Sequence, residues 1–344
     1  MVTLGADCHK RTHTLVAVDQ AGRELGSRTE AATPEGHLEL LRWAKRWPER
    51  RWALEDCRHV SRQLEHDLLT AGEVAVRVSP KMMAGTRRSA RQFGKSDSID
   101  ALAVARAAQR EPNLPLARPE GPSRDLRLLV DHRDDLVADR TRNINRLRWQ
   151  LHELAPGYCI PPRKLIHAST WQAVGDVIAK HQGLVAELAG ELLTSIRDLT
   201  AKINSLERRI TAVTARLAPS LLELEGCGAL TAAKLVAETA DVTRFASRGG
   251  YARSNGTAPI PASSGSQQRV RLNRGGNRQL NAGLHRVAIT QLRLNGRGKL
   301  YVERQMAAGH TKTEALRALR RRLSDEVYRL LWRDHQLLIA SALT

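Results

Sequence analysis

The chain opens on an apolar run, Val2-Thr3-Leu4-Gly5-Ala6, that ends at Asp7, and apolar residues gather again from Thr14 to Val18 and more weakly from Glu24 to Thr29. Short runs bounded by polar residues predict strands, with Gln20-Ala21-Gly22 as the hairpin turn between the second and third. Pro34 to Arg46 carries Leu38, Leu40, Leu41 and Trp43 at helical spacing. A strand over Arg51–Glu55, a helix over Ser61–Ala71, a strand over Glu73–Val78 and a helix over Ser98–Gln109 complete an α/β pattern for residues 1–112.

The pattern then changes. Pro112, Pro115, Pro119 and Pro122 crowd together and predict a linker over 113–122. Ser123 is expected to cap a helix reaching about Leu154, with Leu126, Leu129, Val130, Leu136, Val137, Ile144, Leu147 and Leu151 on one stripe. From Leu192, the residues Ile196, Leu199, Ile203, Leu206, Ile210, Val213 and Leu217 recur in steps of four and three, a heptad seam. Long helices or a coiled coil are therefore expected over 123–220. The seam reads the same whether its partner is the preceding helix or a second copy of the chain. Residues 221–344 are expected to be mostly α-helical. They begin with Leu224-Glu225-Gly226-Cys227-Gly228 and a small-residue helix through Lys234. This looks like half of a helix-hairpin-helix, whose turn offers backbone N–H groups to a phosphate; a plain helix connection fits equally well.

Charge narrows the partners. The 344 residues exceed one typical core, and 55 basic against 36 acidic residues give a net charge of +19, which favours a polyanion. No basic leader precedes an apolar segment at the N-terminus and no run is long enough to span a bilayer, so a cytoplasmic protein without membrane association is expected. Cys8, Cys57, Cys159 and Cys227 are scattered and predict neither a disulfide framework nor a zinc site. The charge is also uneven. The 61 residues between Asp241 and Glu303 hold no acid and eleven bases, among them Arg253, Arg269, Arg271, Arg274 and Arg278. This fits a surface that lies along phosphates, because a carboxylate there would oppose counterion release; a basic exposed face without a partner is the other reading.

Four acids carry the candidate chemistry. Asp7 ends the first apolar run, Glu55 closes Trp52-Ala53-Leu54, and Asp97 and Asp100 stand three apart in Lys95-Ser96-Asp97-Ser98-Ile99-Asp100-Ala101, on one face of a starting helix. Together they can converge on hard divalent cations that assist phosphoryl transfer. Singly, Asp97 reads as a helix cap and Glu55 as a solvated strand end. Within the acid-free segment, Gly256-Thr257-Ala258-Pro259 precedes Ser263-Ser264-Gly265 and several arginines. A serine there could attack a phosphodiester whose charge is neutralised, although by itself the stretch reads as a loop.

The order of Gly5-Ala6-Asp7-Cys8-His9-Lys10, Ala53-Leu54-Glu55, Lys95-Ser96-Asp97-Ser98-Ile99-Asp100-Ala101 and Gly256-Thr257-Ala258-Pro259 with Ser264-Gly265 resembles the insertion-sequence family 110 transposases, which include the Piv-type DNA invertases. The resemblance implies a RuvC-like, RNase H-type N-terminal domain, a helical coiled-coil segment and a mostly α-helical transposase domain. It implies that Asp7, Glu55, Asp97 and Asp100 bind Mg2+, two ions being expected, and that Ser264 joins covalently to DNA. Ser263 stands beside it, and the spacing from Pro259 and the following Gly265 favour Ser264. Lys95, Arg253, Arg269, Arg271, Arg274 and Arg278 are the expected nucleic-acid contacts. Further implied partners are element-end and target DNA, a structured bridge RNA, and further copies in a homodimer or homotetramer. The sequence departs from the family pattern at Asp56 and at Thr257-Ala258, without removing a catalytic group. A RuvC-like nuclease that uses water and a non-catalytic nucleic-acid-binding protein are the other classes the residues allow.

Overall fold

Strands β1 (Val2–Cys8) and β2 (Thr12–Val18) are buried almost throughout. A strand covered on both faces must be apolar on both, which is why neither run alternates. Strand β3 (Glu24–Ala31) alternates in exposure, as a sheet edge does. There follow α1 (Pro34–Ala44), β4 (Arg50–Glu55), α2 (Arg58–Thr70), β5 (Ala75–Val78), α3 (Pro80–Arg88) and α4 (Asp97–Arg110). This computed structural model describes residues 1–88, 96–111, 114, 116–119, 121–262, 270–273 and 275–342. It divides into two compact units, Met1–Pro119 and Glu120–Thr344.

The first unit is built on one sheet in the order β3-β2-β1-β4-β5. Its first three strands pair antiparallel and β1-β4-β5 pair parallel. This mixed sheet, covered by helices, bears out the expected α/β class. Leu4, Ala6, Trp52 and Leu54 pack with Leu40, Leu64 and Leu68 of α1 and α2. The opposite face presents Val16 and Val18 to Ala101, Leu102 and Ala105 of α4, and Ala53 and Val76 to Val104 and Ala108. Strand and helix touch backbone to backbone here. A Cβ on Gly5 would lie 2.2 Å from the Ala101 carbonyl oxygen and 2.5 Å from the Ala105 nitrogen. Helix α3 was not among the expected elements; Pro80 opens it, and proline suits a first helical turn, since its missing N–H is not needed there. Beyond α4, Ala117 N donates to Ala75 O at 2.8 Å and Leu116 bridges Val76, so this part of the expected linker lies along β5.

The second unit is helical, as the sequence implies. It contains α5 (Pro122–Leu154), α6 (Ala168–Ile178), α7 (Leu184–Leu217), α8 (Pro219–Leu222), α9 (Ala229–Thr239), α10 (Arg248–Ser254), strands β6 (Ile260–Pro261) and β7 (Val270–Arg271), α11 (Arg278–Arg293), α12 (Arg297–Ala307) and α13 (Lys312–Ala342). The expected Ser123 cap is corrected: Gly121 is the N-cap of α5 and Pro122 its first residue, so Ser123 lies inside the helix. Helices α5 and α7 pack antiparallel, linked by Arg133 Nε to Glu207 (3.0 Å), Arg140 to Thr200 (3.2 Å) and Asn143 to Ser195 (2.9 Å). The heptad seam therefore has its partner within the chain. Helix α6, which the sequence reading missed, closes one end of this hairpin through Val174 and Ile178 against Leu147, Leu151 and Leu193. The larger core joins Leu126 and Ile210 to Leu235, Leu280, Leu284, Leu323 and Val327. Among the described residues no helix is long and apolar enough to cross a membrane.

Candidate functional site

Asp7 lies at the carboxyl end of β1 and Glu55 at that of β4, in neighbouring parallel strands with Ala6 opposite Leu54. Ligand sites in α/β sheets form outside these ends. Alternation along each strand puts Gly5 with Asp7, and Ala53 with Glu55, on the face that α4 covers. Because Gly5 lets α4 approach so closely, the first turn of that helix, with Asp97 and Asp100, comes to the same corner. The cap of α4 is Ser96, whose Oγ accepts from Ile99 N at 3.3 Å, which corrects the reading of Asp97 as the cap. Asp97 is thereby left exposed at the mouth, while Asp7 and Asp100 are buried.

Crowding shows in the electrostatics. Burial, opposed by His9 and reinforced by Asp100, Glu55 and Asp97, raises the Asp7 carboxyl from the ordinary 3.8 to about 6. Burial and then Asp100 raise Glu55 as well. His9, which sequence reasoning passed over although it follows Asp7 by two residues, brings Nδ1 to 3.6 Å from Asp7 Oδ2 and 3.9 Å from Asp97 Oδ2. One ligand atom from each of Asp7, His9 and Asp97 lies within 4.8 Å of the others. Arg87 was also missed; its Nε stands 3.0 Å from Asp100 Oδ1, in ion-pair range but without hydrogen-bond alignment. Asp7 Oδ2 and Asp100 Oδ1 are buried and accept no hydrogen bond. Buried carboxylate oxygens without donors are costly, and a bound cation satisfies them. The donor set is chiefly carboxylate oxygen, which suits a hard ion such as Mg2+.

The residues on either side of the serine segment are anchored; residues 263–269, and with them Ser263, Ser264 and Arg269, lie outside the described residues, as do Arg274 and Lys95. Its flanking strands β6 and β7 pair antiparallel, Ile260 with Arg271 and Pro261 with Val270. Asn255, fully buried, donates to Ser324 Oγ (2.8 Å) and accepts from Thr257 Oγ1 (2.7 Å), and Asn281 donates to the Asn255 carbonyl (2.9 Å). Gly256 has φ +76°, and a Cβ on Gly276 would come 2.2 Å from the Gly256 nitrogen. These contacts explain the Asn-Gly and Gly-Gly-Asn pairs that read as flexible loop in sequence. Of the predicted contact residues, Arg253, Arg271 and Arg278 are exposed, as are Arg248, Arg286, Arg293 and Arg297 of the same acid-free segment. The Gly226–Gly228 turn, with Gly226 at φ +80°, links short α8 to α9 as a helix-hairpin-helix half would.

A family model described as a transposase of the DEDD IS110 type matches residues 4–156, and a second, for transposases of the IS116/IS110/IS902 family, matches residues 218–303. The insertion element IS116 44.8 kDa protein of Streptomyces clavuligerus is 29% identical, with 98% of this chain and 96% of that protein covered. The insertion element IS900 42 kDa protein of Mycobacterium paratuberculosis is 27% identical over 97% of this chain and 96% of its own. Among solved structures, Thermus thermophilus RuvC in complex with a Holliday junction substrate aligns at 15% identity and a TM-score of 0.28, covering 34% of this chain and 99% of RuvC. The first model takes in the acids of the first unit and runs on through α5 of the second, and the other lies within the second unit and takes in β6 and β7. The chain therefore belongs to the IS110 family of insertion-element transposases.

Proposed function

We propose that this transposase exchanges DNA strands through a phosphoserine intermediate, with Asp7, Glu55, Asp97 and Asp100 as the metal-binding acids and Ser264 as the nucleophile. The observation that carries the proposal is the gathering of Asp97 and Asp100 of α4 with Asp7 and Glu55 at the ends of β1 and β4, where Asp7 Oδ2 and Asp100 Oδ1 are buried and accept no hydrogen bond. The four carboxylates would hold two Mg2+ ions, which when bound would neutralise the scissile phosphate. His9 beside Asp7 and Asp97, and Arg87 beside Asp100, temper the repulsion among the acids and aim them. Ser264 Oγ forms a bond to phosphorus as the bond to the leaving oxygen breaks, and the serine proton ends on the released hydroxyl. A hydroxyl from the partner duplex then attacks the phosphoserine and frees the serine, so bond energy is kept and no ATP is required.

Element-end and target DNA are the proposed substrates, selected through pairing with a structured bridge RNA. A protein in that position reads backbone and shape more than sequence. The exposed arginines of the acid-free segment suit this work. The protein is proposed to act as a homodimer or homotetramer. Because α5 fills the seam of α7, contacts between copies would use other surfaces.

A denaturing gel for covalent protein–DNA adduct tests the proposal, with element-end DNA, candidate bridge RNA and Mg2+. Adduct is expected in wild type and Ser263→Ala and absent in Ser264→Ala and Asp97→Asn. Cleavage without adduct would establish water as the nucleophile. Activity unchanged in Asp97→Asn would remove the acids from the chemistry.

A further inference from the structure

A cleft of about 520 Å3 opens beneath the β6–β7 hairpin, and nothing in the proposed strand exchange uses it. One wall is the hairpin base, including Pro259 and Leu272; the other is α12 and α13, through Tyr301, Gln305, Arg317 and Ala318. The volume is that of a small-molecule pocket, enough for one nucleotide and too little for a duplex. We propose that this cleft receives a single unpaired nucleotide of a nucleic-acid strand, an inference that rests on the nucleic-acid reading of the second unit.

Three features select that ligand. Pro259, Leu272 and Ala318 provide apolar surface, and Tyr301 adds a flat ring that already carries the Arg322 guanidinium 4.6 Å from its centroid. Flat apolar and aromatic walls with polar groups at the edges match a base that has left its stack. Charge is the second feature. Among the described residues Glu314 is the one acid lining the cleft, and it is turned onto the start of α13, accepting from Thr311 N at 2.8 Å and Thr311 Oγ1 at 2.7 Å. Arg321 is held by Asp325, which leaves exposed Arg271 and Arg317 to meet the flanking phosphates. The third is rigidity. Asn255 ties the hairpin base to Ser324 of α13, so the two walls are fixed to each other before any strand arrives. A preformed cleft avoids the ordering cost that a loop would add on binding.

The test uses full-length protein and a single-stranded oligodeoxynucleotide containing 4-thiothymidine, crosslinked by near-ultraviolet light and mapped by mass spectrometry. Adducts are expected on Tyr301 or on Leu272 and its neighbours. Arg317→Glu, an exposed change that disturbs no core, and Ala318→Trp, which fills the cleft, should each lower crosslink yield there and oligonucleotide affinity at least fivefold, with melting temperatures confirming folded protein. Adducts confined to other sites, or both variants within twofold of wild type, would overturn the cleft proposal while leaving the nucleic-acid reading intact. A wild-type protein that binds no oligonucleotide would overturn both.

Discussion

At the residue scale, Asp7 concentrates the physics of the candidate site. Its carboxyl is held at about 6 against an ordinary 3.8, so between these values the folded chain keeps a proton that the unfolded chain has lost. The Asp7 contribution to the stability of the metal-free protein therefore falls as pH rises from about 4 to 6 and stops falling above. Buried His13, lowered to about 4, slopes the other way, because the unfolded chain binds its proton first as pH falls. The Asp7 contribution is thus read as the difference between wild type and Asp7→Asn in thermal melts across this range. Asp7→Asn should stabilise the metal-free protein at pH 7 by on the order of 1 kcal/mol after solvent screening, and should abolish tight Mn2+ or Mg2+ binding in calorimetry. In wild type the apparent affinity for the cation should fall below pH 6, by up to about tenfold per unit, because the ion must displace the Asp7 proton.

Glycines that admit close backbone approach decide the element scale. Gly5→Ala would drive a methyl into the Ala101 carbonyl and push α4, with Asp97 and Asp100, off β1. The expected cost is about 1–3 kcal/mol in denaturant unfolding, together with weakened cation binding although no acid has changed. Gly276→Ala would press on the Gly256 nitrogen and dislodge the hairpin. It should reduce adduct formation on the denaturing gel while leaving cation affinity at wild-type level. The pair of variants separates the acidic corner from the serine hairpin. Elements with strong periodicity were legible in the sequence: the three opening strands, α4 and the seam of α7 fall close to where the pattern puts them. Helices α3 and α6 were not legible. Proline at the head of α3 reads as a breaker until its position in the first turn is known, and α6 owes its place to the core it closes with Leu147 and Leu193.

For the whole molecule, an uneven charge of +19 predicts how binding responds to salt. Affinity for a nucleic acid should fall steeply with ionic strength, with a slope of log affinity against log salt near −0.9 for each duplex phosphate contacted. Replacing Arg278 by Ala should make that slope shallower by about one and weaken binding to all sequences alike, measured by fluorescence anisotropy over a salt series. The same change should leave cation affinity unaltered, since Arg278 belongs to the second unit and the acids to the first. A cation-site variant such as Asp7→Asn should show the reverse, keeping the salt slope and losing the metal.

The sequence by itself determined the α/β opening, the long helices, the four acids, the acid-free segment and the family, because strand and helix periods, charge counts and motif order are local properties of the chain. Tertiary structure decided which residues meet. It supplied α5 as the partner of the α7 seam, which heptads alone leave open because a helix of the same chain and one of another copy offer equal knobs and holes. It brought His9 and Arg87 to the acids and placed Asn255 and Gly276 under the hairpin. Those contacts join residues far apart in the chain or on different elements. They depend on backbone distances such as that between Gly5 and Ala101, which no local pattern encodes.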